Sequence, residues 1–220
     1  IWQLCYLAPS KFNHTKHMSE HSHKLIDKQG KLAIGIHSSP VGEINYQDYP
    51  LRSALRDLLP TTERDRQFVH FHFMGFTSDN YIAGCSLSQA DNGQNVFFYL
   101  FNRQTQTMLS RGCRVREGDR AEINLNPDDG VSIIEGKGMS VRFEATAKNL
   151  VKRLHVALDN TAILDLCFCE IPSQFETLRI TTPTAANGWT YAQKVAGIQA
   201  QGSVVVDGDR IDLQHINATA

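Results

Sequence analysis

What most restricts the folds open to this chain is a succession of short segments with a side-chain period of two, each closed off by turn formers, from residue 67 to residue 213. They read QFVHFHFMGF, YIAGCSLSQ, NVFFYLFN, TMLSR, AEINL, GVSIIEG, SVRFEATA, LVKRLHVAL, AILDLCFCE, TLRITT, WTYAQKVAG, GSVVV and IDL. A period of two puts successive side chains on opposite faces of a strand. Thr77-Ser78-Asp79-Asn80, Asp91-Asn92-Gly93, Asn126-Pro127-Asp128-Asp129-Gly130, Asn187-Gly188 and Asp207-Gly208 are turn or hairpin signals between them. Parallel pairing would need crossover helices of a dozen or so residues, and the links are too short to hold them. The chain is therefore expected to be all-β, with antiparallel strands folded into a barrel or a sandwich. A further strand is expected over residues 31–36. One short helix is expected over residues 51–59: Leu51, Leu55, Leu58 and Leu59 have helical spacing, with Pro50 at its start and Pro60 at its end.

The alternation also assigns faces. NVFFYLF is apolar on both sides and is expected to be buried on both. In SVRFEATA, Val141, Phe143 and Ala145 share the apolar face. In AILDLCFCE that face is Leu164, Leu166 and Phe168, while Asp165 stands with Ile163, Cys167 and Cys169. An aspartate there is at a barrel mouth or hydrogen-bonded inside, unless the face is simply solvated, which is the simpler reading.

Charge excludes several classes of partner. The 22 basic and 23 acidic residues leave a net −1, which gives no footprint for nucleic acid or an anionic membrane. No apolar run reaches the roughly 18 residues that a membrane-spanning helix needs. Cys5, Cys85, Cys113, Cys167 and Cys169 are odd in number and irregular in spacing. Free, buried thiols and a cytoplasmic location are the expectation. The segment before Met18, IWQLCYLAPSKFNHTKH, lacks periodicity, so Met18 is the expected natural start and residues 1–23 are set apart from a β-rich domain over 24–220. His14, His17, His21 and His23 in that segment could bind metal only adventitiously.

Few residues point to chemistry. His70 and His72 share a strand face and could ligate zinc or iron with a third ligand such as His155, although paired histidines lining a polar groove or facing water are the preferred reading. There is no His-Glu-x-x-His helix, Gly-rich phosphate loop or Gly-x-Ser-x-Gly elbow, and no cofactor is expected. In WTYAQK, Trp189, Tyr191 and Gln193 share one face, with Thr190, Ala192 and Lys194 on the other. Two rings and an amide can line a ligand pocket. The same residues can equally plug a barrel end, and spacing does not separate the two.

The stretch GWTYAQKVAGIQAQGSVVVDG resembles a Trp-Thr-x-x-x-Lys element, small-residue linker and Gly-bounded hairpin found in the uncharacterised, mostly bacterial family called domain of unknown function 2804. FHFMGFTSDNYIAGCSLSQADNGQNVFFYLFN is similar to the family's early strand pair, and KLIDKQGKLAIGIHSSPVGEIN matches more loosely. Members usually continue into an Asp-Trp-x-x-Gly element where this chain reads HINATA, which implies a C-terminally truncated member. The family is distantly similar to lipocalin-like proteins that include carotenoid hydratases. That resemblance implies a lipocalin-like architecture holding a hydrophobic small molecule at Trp189, Tyr191 and Gln193. The alternative is a hydratase or isomerase acting on a lipid or terpenoid double bond, with Asp165 as acid and Tyr191 as its partner. A continuous apolar lining would favour binding alone; a buried carboxylate beside Tyr191 would favour an enzyme.

Overall fold

A computed structural model of the chain describes residues 24–159, 161–185 and 187–220; the expectations for residues 1–23 lie outside these. In chain order the elements are strand β1 (Gly35–Ile36), a 3-10 turn (Tyr46–Asp48), helix α1 (Thr61–Gln67), and strands β2 (His70–Thr77), β3 (Tyr81–Ala90), β4 (Gly93–Asn102) and β5 (Thr107–Arg114). They continue with β6 (Arg120–Glu122), β7 (Gly130–Gly136), β8 (Met139–Thr146), β9 (Val151–Leu158) and β10 (Thr161–Cys169). The last four are β11 (Leu178–Pro183), β12 (Trp189–Lys194), β13 (Gln201–Val206) and β14 (Asp209–Asp212).

All strand pairings are antiparallel. The strands form three open sheets, ordered β2-β3-β4-β5, β14-β13-β10-β9-β8-β7-β6 and β1-β11-β12. Of the two expected all-β architectures this is the sandwich. One apolar core joins the four- and seven-stranded sheets, with Leu87 and Phe98 from the first meeting Val141, Phe143, Leu154, Val156 and Leu166 from the second. The faces in β8 and β10 are those set by the alternation. Burying each such side chain contributes roughly 1.5–3 kcal/mol.

The three-stranded sheet carries a satellite core of Leu25, Ile26, Leu32, Val41 and Ile44, against which Tyr49, Trp189 and Tyr191 pack. Asn45 pins this layer by accepting from the Ile26 amide at 3.0 Å and donating to its carbonyl at 2.8 Å. The end of the chain is woven in as well. Thr219 bridges to both Thr77 and Gln199, and Ala218 is buried in the main core.

Three local expectations are corrected. Residues 51–59 are not a helix: Arg52 bridges antiparallel to Leu58, and Arg56 takes a positive φ of 68°. Ser53 drives this, because its Oγ accepts from the amides of Leu55 and Asp57, a local bond that competes with helix. A nine-residue leucine stripe cannot resist that without a surface to bury, and Leu55 is 85% exposed. The helix instead follows Pro60, whose carbonyl accepts from Glu63 and Arg64. It has no apolar face, only Glu63 bonded to Arg66 and Gln67 one turn on, so periodicity missed it. Second, the strand expected over 31–36 shrinks to β1. Third, β4 is not buried on both faces: Val96, Phe98 and Leu100 are buried, whereas Phe97 is exposed. The thiols differ too, since Cys85 and Cys113 are buried but Cys167 and Cys169 are only half-buried.

Candidate functional site

Between the seven- and three-stranded sheets, four ionisable side chains are buried together. Lys152 sits on the inner face of β9, in phase with Leu154, Val156 and Leu158. Glu170 follows β10, in phase with Leu164, Leu166 and Phe168. Arg179 lies on β11 and pairs across the sheet with Gln193 of β12. Asp128 comes from the β6–β7 turn, where Asn126 Oδ1 accepts from the amides of Asp128 and Asp129 and so fixes the loop. The side chains of Lys152, Asp128, Glu170 and Arg179 are only 8, 10, 6 and 12% exposed.

Asp128 is the hub. Its Oδ1 accepts from Lys152 Nζ at 2.9 Å and from Gln193 Nε2 at 2.7 Å. Its Oδ2 lies 3.6 Å from an Arg179 nitrogen. Lys152 also donates to the Pro127 carbonyl at 2.5 Å and lies 3.8 Å from Glu170. Tyr191 donates to Gln193 Oε1 at 2.8 Å, which ties the aromatic strand to the carboxylate through one amide. Two buried polar atoms here make no hydrogen bond to the described residues: Asp128 Oδ2, an acceptor, and Arg179 Nε, a donor.

The environment sets the acidities. Burial pushes the Glu170 carboxyl up, Asp128 adds to this, and Lys152, Thr177 and Arg179 only partly oppose it. Burial, reinforced by Asp128, pushes the Tyr191 hydroxyl up to about 12, so it stays protonated and acts as a donor. His72, on the neighbouring sheet, is held below the usual histidine range by burial and by Lys152, even though its Nε2 lies 3.1 Å from the Asn124 carbonyl. His70 is lowered by burial and by His72, to about 4. The cluster thus holds a carboxyl raised above the usual carboxylate range, an aspartate paired with two cations and a hydroxyl donor, with two imidazoles of lowered basicity on the neighbouring sheet.

The residues singled out by the sequence do not fall in one place. Tyr191 and Gln193 belong to the cluster. Trp189 is on the same face but packs into the satellite core, edge-on to Tyr49 at 6.1 Å. Lys194 is exposed. Asp165 is on the outer face of the seven-stranded sheet, 2.7 Å from His155 Nδ1 and 3.7 Å from Arg210. It is 43% exposed, and Tyr191 bonds elsewhere. His70 and His72 have ring centroids 4.5 Å apart on the inner face of β2, whereas His155 faces outward from β9. Among the described residues no group of three or more histidine, cysteine or acidic side chains is placed to hold a metal.

A family model described as "Domain of unknown function (DUF2804)" matches residues 16–220. The chain belongs to that family. No curated protein and no solved structure matches it. This DUF2804 chain brings together the aromatic strand used for the resemblance and four charged residues that the motif does not contain. Lys152 and Glu170 carried a legible signal, a charge in phase with an apolar strand face. Asp128 looked like turn chemistry and nothing more. Among the described residues no helix is long and apolar enough to cross a membrane.

Proposed function

We propose that this DUF2804 domain, taken as one unit over residues 24–220, is an acid–base site for a small, largely apolar molecule with a hydroxyl or an isolated double bond, of the hydratase or isomerase type. The observation that carries this reading is the buried carboxyl of Glu170 in a charge cluster joined to Tyr191. Burying four ionisable groups is expensive, and replacing such networks by apolar residues is often neutral or stabilising. Perturbed acidities in one buried cluster point to a functional site. Glu170 is the proton donor, as a carboxyl raised by burial is suited to protonate a weakly basic carbon. Asp128 Oδ2 and Arg179 Nε supply one acceptor and one donor, and a hydroxyl is the smallest group that satisfies both. Asp165, bonded to His155 on the outer face, is not given a role. The buried, unbridged thiols of Cys85 and Cys113 favour a reducing compartment, the cytoplasm.

A second reading, a binding module for a hydrophobic molecule, is favoured by Trp189 and Tyr191 lying against the apolar satellite core. The two separate in heavy water. The chain would be incubated with unsaturated fatty acids and terpenoids, and mass spectrometry would follow deuterium entry at carbon. Acid–base chemistry predicts incorporation that Glu170→Gln abolishes while Trp189 fluorescence still reports binding. Binding without incorporation favours the module, and neither would leave the cluster a structural tie.

A further inference from the structure

The outer face of the four-stranded sheet belongs to neither core. Alternation along β2–β5 places on it Phe71 and Phe73, then Gly84 and Ser86, then Phe97 and Tyr99, then Ser110 and Gly112. Phe71 and Phe73 are exposed, and so are Phe97 and, at one corner, Met108. The rings lie low over the small residues between them: a Cβ at Gly84 would come within 2.8 Å of both Phe73 and Tyr99 ring carbons. Phe71 and Phe73 are nearly parallel, 17° apart with centroids at 6.4 Å, and Phe97 and Tyr99 lie 5.9 Å apart, tilted by 32°. The result is a continuous aromatic floor over small residues.

We infer that this face docks on the same face of a second copy of the chain. Its charge singles out that occupant. No acidic side chain falls on the outer positions of β2–β5, and Arg114, at one end of β5, is the cation among them. A nucleic acid or an anionic lipid surface needs several cations around such rings. A second apolar face needs none, and an isologous pair brings no like charges into its centre. Size agrees. Four strands spaced by about 4.8 Å and about eight residues long cover roughly 500 Å² in plan. Two such faces together cover on the order of 1,000 Å², the least expected of a specific interface. Exposed apolar patches above a few hundred Å² mark such surfaces. The two faces would stack about 10 Å apart at roughly −30°, as aligned sheets do.

The test is sedimentation of the 220-residue chain from low concentration to roughly 100 µM, where an interface of this size should be occupied. Phe97→Glu and Phe71→Glu each place a carboxylate on the floor without touching the core, and Leu55→Glu is an exposed-leucine control. The expected result is a dimer in the parent and in Leu55→Glu, weakened at least about tenfold by either phenylalanine variant, with circular dichroism unchanged. A monomer throughout would overturn the inference. So would a dimer indifferent to both phenylalanine variants, or a monomer that dimerises only once residues 1–23 are deleted, which would make that segment the occupant.

Discussion

Among single residues, Lys152 has the most at stake. It reaches the cluster on an apolar strand face and meets Asp128, Glu170 and a backbone carbonyl. Lys152→Met keeps the stem volume but leaves two acidic groups buried with only Arg179 to balance them. Breaking a buried pair from one side costs about 3–5 kcal/mol, so the urea midpoint should fall by about 3 kcal/mol in free-energy terms. Asp165→Asn on the outer face removes a partner of His155 that is already half in water, and should stay within about 1 kcal/mol. Equal losses in the two variants would mean that burial is not what distinguishes the sites.

At the level of elements, the antiparallel strands and their faces were legible because the period of two is set by backbone geometry and the turn residues announced each reversal. The helix position was not. Ser53 bonding its neighbours' amides and Pro60 opening a polar helix are local events that no apolar period reports. Of the buried cluster, the sequence singled out Tyr191 and Gln193, while its third pick on that strand, Trp189, packs into the satellite core. Lys152 and Glu170 were readable in principle from their phase, and Asp128 was hidden in a loop whose course is set by Asn126. One strand junction depends on a glycine. Gly202 of β13 has φ +106°, and a Cβ there would lie 2.1 Å from the Asp165 carbonyl oxygen of β10. Gly202→Ala is therefore expected to cost at least about 2 kcal/mol by denaturant unfolding, whereas Leu55→Glu on the exposed hairpin should stay within about 0.5 kcal/mol. A silent Gly202→Ala would mean that β10 and β13 do not pair in this register.

On the scale of the whole molecule, the charge cluster ties the seven- and three-stranded sheets together, with His72 of the four-stranded sheet close enough to feel Lys152, and titration of this region should appear in global stability. His70 has a folded value of about 4 against 6.5 for the ordinary side chain, and His72 is lowered too. Between those values the unfolded chain binds more protons, so stability falls as pH drops from about 6.5 towards about 4. Glu170 works the other way: its raised folded value means stability is lost as pH rises from 4.5 through that value, so acidification partly relieves it. The histidine part is read from urea midpoints at pH 7 and about pH 4.5: His70→Phe should lose less stability on acidification than the parent chain, and an equal change in both would remove His70 as a source. The most direct test of the proposed acid–base site is a carbon-13 NMR titration of the Glu170 carboxyl in the intact chain. A midpoint above the ordinary 4.5, moving higher still in Lys152→Met as the opposing cation is lost, is the expected result. A midpoint at or below 4.5 that ignores Lys152→Met would contradict a buried proton donor at this site.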